Sequence, residues 1–201
     1  MDFLLALSLL ALAAHFLKLR EQRRRIALLG SHLGAYEIES LMETLTAAYQ
    51  RALGEVDAAR QTQIWELQAS AEARLSGQFQ RFADGFAQVD AAQARVSTLP
   101  IAVPYATQWA PGATFDVRAA LRVHATGLTQ AANNSLQQNP RGRAFTLLAE
   151  LMLMQHTCHW FCRSKGVASA RLLLRHQTAY AQVLEAVSPQ TRKSYNAVLA
   201  G

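Results

Sequence analysis

The residues of this chain best suited to chemistry lie close together in His156-Thr157-Cys158-His159-Trp160-Phe161-Cys162. Thiolate and imidazole are the usual ligands of soft and borderline metals, so His156, Cys158, His159 and Cys162 are the candidate metal ligands. Successive helical residues turn by about 100°, so Cys158 and Cys162 share a face, and His156 and His159 are close neighbours. Two or three of them could meet zinc or copper(I), with His176 or His124 as a distant ligand. The spacing matches no CxxC or zinc-finger pattern and no CxxCH haem attachment. On a helical wheel both cysteines fall on the apolar arc of Leu147, Leu148, Leu151 and Phe161, whereas His156 falls toward Glu150 and Thr157. That placement favours core cysteines with flanking histidines. A metal or haem site and a reactive thiol are the alternatives. A disulfide is not expected in a reducing compartment.

Glu150 is the only acidic residue between Asp116 and Glu185. In so apolar a helix it is expected to pair with an arginine of a neighbouring helix, since a buried charge needs a partner. A general base would need a second catalytic group in reach, and none is visible. No GxSxG, phosphate-binding loop, dinucleotide-binding glycine run or HExxH is present. The chain is therefore expected not to be an enzyme, and no resident cofactor is assigned.

The elements that would hold these residues follow from the distribution of charge and apolar residues. The 201 residues are 51% hydrophobic and carry a net charge of +6, too apolar for a disordered chain. Five Pro and ten Gly are too few for a turn-rich β protein. The expected fold class is all-α. Residues 1–25 hold five basic and two acidic side chains, residues 26–98 five and nine, and residues 99–201 ten and three. Seventeen of the 20 basic residues are Arg, a composition that suits a bacterial source.

Four parts are expected. Residues 1–25 form a transmembrane anchor with a basic flank. Phe3 to Leu17 carries no formal charge and spans about 22 Å as a helix, short of the roughly 30 Å hydrocarbon core. Leu19 and a snorkelling Lys18 extend it. Arg23, Arg24 and Arg25 follow, which places them in the cytoplasm and Met1 outside. A cleaved signal peptide would carry its cations before the apolar run, not after it. The main domain is thus assigned to the cytoplasmic side of a bacterial inner membrane.

Residues 26–98 form a long helical, coiled-coil-like region, either a stalk or a hairpin folded near Gly54. Leu75, Phe79, Phe82, Phe86 and Val89 step by four and three, a heptad seam for either the chain's own core or an oligomer. Gly54, Gly77 and Gly85 are weak points. Residues 99–114 are a Pro-rich connector in which Ile101, Val103, Tyr105 and Trp109 are expected to pack inward, with a partner-binding spot at Trp109 as the other reading. Residues 115–201 are a small basic helical bundle of four helices, over about 115–137, 143–164, 167–187 and 189–199. Thr114 is the expected first cap, Gly166 a C-cap, and Ser188-Pro189 the last helix start.

The basic set of the bundle comprises Arg118, Arg122, Arg141, Arg143, Arg163, Lys165, Arg171, Arg175, Arg192 and Lys193. It suits a solvated surface, anionic lipid headgroups beside the membrane, or docking onto the acidic 26–98 region or an acidic partner. Nucleic acid is the weaker partner, since no basic-aromatic stripe or binding motif is present. The function expected is a single-pass, membrane-anchored adaptor or scaffold that self-associates and recruits protein partners. The alternatives are a membrane-tethered metal or redox protein using residues 156–162, and a membrane-tethered nucleic-acid binder.

Overall fold

The computed structural model describes residues 2–201, with side chains from Phe3 onward. Met1, which the charge pattern places outside the membrane, lies outside the described residues. The described chain is all-α: ten helices and one two-stranded antiparallel pair.

Helix α1 (Asp2–Leu33) runs unbroken for 32 residues, roughly 48 Å. It is long and apolar enough to cross a membrane, and the window that qualifies has no buried residue. It stops at Gly34, and α2 (Ile38–Gly54) begins after a four-residue turn. Gly54 does end a helix. Asp57 then opens α3 (Ala58–Phe86) by accepting the Ala59 and Arg60 N–H groups. Helix α3 passes straight through Gly77 and Gly85, so those weak points do not break it.

Helices α2 and α3 lie antiparallel, tied by Gln61 to the Ala52 carbonyl at 2.8 Å near the turn and by Arg74 to Glu37 at 2.5 Å near the far end. Leu41, Leu45 and Tyr49 of α2 and Leu75, Phe79, Phe82 and Phe86 of α3 are all buried. Val89, just past α3, is buried with them. The expected seam is therefore spent on the chain's own core.

After a single turn, α4 (Ala91–Ala94), strand β1 (Arg95–Ser97) pairs with β2 (Thr114–Asp116), and the connector lies between them. The connector contains the short α5 (Ala106–Trp109). Its inward packing is only partial. Ala106 is buried, but Ile101, Val103 and Trp109 are 67%, 40% and 83% exposed, which corrects the expectation for these three. The reason is that the backbone, not these side chains, fixes the connector. Gly166 N–H donates to the Pro100 carbonyl at 2.8 Å, and Thr98 N–H to that of Ala113 at 2.9 Å. A Cβ at Gly166 would come within 2.7 Å of the Pro100 oxygen, so glycine is required there for close approach and not as a helix end.

The bundle contains five helices instead of four: α6 (Val117–Ala132), α7 (Pro140–Cys162), α8 (Lys165–His176), α9 (Tyr180–Ala186) and α10 (Pro189–Ala200). Asp116, not Thr114, caps α6; Thr114 is in β2. The single helix expected over 167–187 is split at Gln177, which takes the left-handed conformation at φ 50° and closes α8 through its N–H to Leu173. Ser188 caps α10 by accepting the Thr191 N–H, with Pro189 in the first turn.

One apolar cluster runs from Leu29 of α1 to Tyr195 of α10. It includes residues from both regions that the charge pattern sets apart: Phe86 meets Phe161 edge-on at 5.8 Å. A buried polar clamp joins the same parts. Glu72 of α3 accepts from Tyr49 of α2 and from Arg143 of α7, and Arg143 also donates to the Ala132 carbonyl at 2.8 Å. Arg143 thus satisfies one of the free carbonyls at the end of α6. Glu72→Ala leaves a guanidinium largely buried without its carboxylate. It is expected to lower stability by on the order of 3 kcal/mol in denaturant unfolding of the detergent-solubilised chain. A loss under about 1 kcal/mol would show that the clamp adds little.

Candidate functional site

Helix α7 carries the His/Cys residues, and most of its residues are buried, packing against α1, α2, α6, α8 and α9. Its sequence is apolar around the whole circumference, which is the mark of a central helix. The expectation that His156 lies on a more polar side is therefore corrected: His156 is buried.

No three of the four candidate ligands converge on one point. His156 Nε2 lies 3.0 Å from Ser169 Oγ of α8, and its ring stacks on Tyr180 of α9 at 4.4 Å. The Lys165 ammonium caps the same aromatic box, 5.2 Å from the Trp160 ring and 5.5 Å from that of Tyr180. Burial, with Lys165 and His159 nearby, holds the His156 pKa down to about 4. His159 turns to the surface, its Nδ1 3.3 Å from Arg171, and burial with Arg171 and Arg175 keeps it below its ordinary value. Cys162 is buried and Cys158 partly so, and both thiols are free. Burial pushes Cys158 up to about 12 and Cys162 up to about 11, so neither is a thiolate near neutral pH. Among the described residues no three His, Cys, Asp or Glu side chains converge to hold a metal ion. His124 and His176 are likewise apart from the cluster's thiols in their bonding: His124 Nε2 meets Thr157 Oγ1 at 2.8 Å, and His176 Nε2 meets Gln155 at 3.3 Å.

The deeper polar groups form a buried network that spacing alone did not reveal. Thr157 donates to the Leu153 carbonyl, so its oxygen accepts from Tyr195 at 2.8 Å and from His124 Nε2–H at 2.8 Å. Burial lowers the His124 pKa to about 3, with His156 adding to the effect, so the ring is neutral.

Glu150 has no arginine partner among the described residues, which corrects the ion pair expected for it. Its carboxyl instead faces the start of α10, where Oε1 accepts the Ser188 N–H at 3.1 Å. Unpaired N–H groups and the positive end of the helix dipole make that terminus a weak anion site. Gly127 of α6 makes the room: a Cβ there would sit 2.4 Å from Oε2 and 2.5 Å from Thr191 Oγ1. Among the described residues Oε2 has no hydrogen-bond partner. Burial pushes the Glu150 pKa up to about 7, outweighing the pull of Thr191 and Ser188.

The surface beside His156 is a groove of about 370 Å³ between α7 and α8, lined in part by His159, Arg171, Leu174 and Arg175. Leu174 is exposed there, at 84%. The groove is basic and apolar together. Nothing in it pairs a nucleophile with a base.

A third region lies where α1 enters the fold. Arg25 donates to the Phe161 carbonyl at 3.2 Å, sits over the Phe161 ring at 5.5 Å and pairs with Glu21 at 2.8 Å. Arg163 donates to Gln22 at 2.6 Å. Of the three arginines expected to set the topology, Arg23 and Arg24 are exposed and Arg25 is built into the bundle. No family model, curated protein or solved structure matches this chain.

Glu150 gives a pH test. Its native pKa of about 7 lies above the ordinary 4.5, so the native state holds a proton that the unfolded state releases between those values. Stability from this group is full below about pH 4.5 and is lost as pH rises through about 7. The loss amounts to roughly 3 kcal/mol. Glu150→Gln, which stays neutral, is expected to gain on the wild type as pH rises across that window in parallel unfolding curves. A stability difference independent of pH would contradict this.

Proposed function

We propose that this chain is a single-pass membrane-anchored adaptor, with its N-terminus outside and its helical unit on the cytoplasmic side of a bacterial inner membrane. One observation carries it. Along a single unbroken helix, Phe3 to Leu17 is exposed apolar surface on nearly all sides, whereas Gln22 and Leu29 of the same helix are buried in the protein. Exposed apolar area of that size is unfavourable in water and favourable in lipid. Arg20, Arg23 and Arg24, exposed just beyond it, support the orientation through the positive-inside bias.

Recruitment falls on other surfaces than the Leu75–Val89 line, which the core occupies. The α7–α8 groove suits it best. Arg171 and Arg175 beside the bare Leu174 match a partner segment that is acidic and apolar in turn. No specific contact favours the metal or nucleic-acid readings.

Two experiments test the proposal. The intact chain is expected to resist alkaline carbonate extraction, and a reporter fused after Gly201 to be active in the cytoplasm alone. Leu9→Arg with Leu12→Arg places two cations near the middle of the run, each costing about 2.5–3.5 kcal/mol of insertion. That variant is expected in the extracted fraction, and its retention would contradict the span. For recruitment, a photo-crosslinker at Leu174 in intact cells is expected to give a discrete protein adduct that Arg171→Glu with Arg175→Glu removes. An adduct unchanged by the charge reversal would contradict an acidic partner in the groove.

A further inference from the structure

The connector between β1 and β2 presents an apolar surface that the fold itself leaves uncovered. From Val96 to Phe115 the sequence has no charged side chain and no histidine. Ile101, Val103 and Trp109 stand out into solvent, Trp109 at 83% exposure.

This surface is held in place and is not a loose loop. The Trp160 indole donates to the Ser97 carbonyl at 2.9 Å, Gly166 N–H to Pro100 at 2.8 Å, and Thr98 N–H to Ala113 at 2.9 Å. The start of the connector and its first proline are thereby pinned to the bundle, and its two ends to each other. Tyr105 takes a left-handed conformation at φ 55° and starts α5, which carries Trp109 at its end.

The place where it is pinned along α1 matters most. Tyr105 N–H donates to Glu21 Oε2 at 3.0 Å, and Lys18 lines one small cleft together with Ile101 and Val103. Glu21 is four residues past Leu17, the end of the apolar run, a rise of about 6 Å. The headgroup region on each side of a bilayer is roughly 5–8 Å deep. The connector therefore touches α1 at the level where hydrocarbon gives way to headgroups. Tryptophan is enriched at that level, because its ring suits the apolar side and its N–H the wet side. Exposed Arg20 and Arg24 on α1 add charge suited to lipid phosphates at the same height.

The geometry points to the connector as a second membrane contact, in which Trp109, Ile101 and Val103 enter the headgroup layer of the leaflet from which α1 emerges. This rests on α1 being a membrane span. The occupant is lipid, since the surface is uncharged and apolar and meets α1 at Lys18 and Glu21, just past the end of its apolar run.

The test uses the full chain reconstituted into vesicles of mixed zwitterionic and anionic phospholipid, with acyl chains brominated close to the headgroup as quencher. Trp160 is buried and Trp65 partly so. Those two supply an internal reference. The wild type is expected to lose part of its tryptophan emission to the brominated lipid, and Trp109→Phe to lose the quenched part while keeping the rest. Equal quenching of the two proteins, or no quenching in vesicles where the chain resists carbonate extraction, would overturn the connector contact and leave the span intact. Release of the chain from the vesicles by carbonate would overturn both.

Discussion

Under the anchor proposed above, the structure depends on one helix serving two solvents. Over its first half α1 has no buried residue among those described, and over its second half it is a piece of the core. There is no glycine or proline in α1 before Gly30, so nothing between the two halves can act as a hinge. Arg25 and Gln22 then lock the second half to the end of α7 through Phe161 and Arg163. Under the anchor proposed above, the helical unit cannot swing at the end of a tether. Its orientation to the membrane is set by the axis of α1, and the exposed connector and the α7–α8 groove each acquire a fixed height and direction.

The second constraint is α7. The buried polar groups of a central helix need partners from its neighbours. Three of these partnerships reach distant parts of the chain. Arg143 meets the α3 carboxylate of Glu72, Thr157 meets His124 and Tyr195, and Glu150 meets the start of α10 in space left by Gly127. These bonds fix which helix faces which turn of α7, a selectivity that apolar packing alone does not provide. They also explain why the His/Cys helix looks chemical in sequence. His156 is engaged by Ser169 and Tyr180, and its pKa is depressed by an environment that prefers the neutral ring.

Features with a local cause were legible in the residues. The apolar run of α1, the break at Gly54, the Ser188-Pro189 start of α10 and the periodic line through Phe79, Phe82 and Phe86 all follow from side-chain type and spacing. Features with a non-local cause were not. Gln177 has no intrinsic reason to adopt the left-handed conformation, and only the packing of α9 against α7 requires the break there. Glu150 was expected to seek an arginine, whereas an opposing helix start supplied the N–H. Trp109 was expected to turn inward, but the pinned backbone of the connector points it out. The central position of α7 has a visible signal, the lack of a continuous polar face.

The rigid junction of α1 with the helical unit is the claim on which the rest stands. It is tested most directly by a spin-label distance between the two parts, in the full chain reconstituted into lipid. Labels at Leu10→Cys, in the middle of the apolar run, and at Lys193→Cys, on the exposed side of α10, would be introduced with Cys158 and Cys162 replaced by alanine. The account predicts one narrow distance distribution, unchanged between lipid and detergent. A broad distribution, or one that Arg25→Ala leaves as narrow as before while Gly-Gly insertion after Leu19 also has no effect, would contradict it.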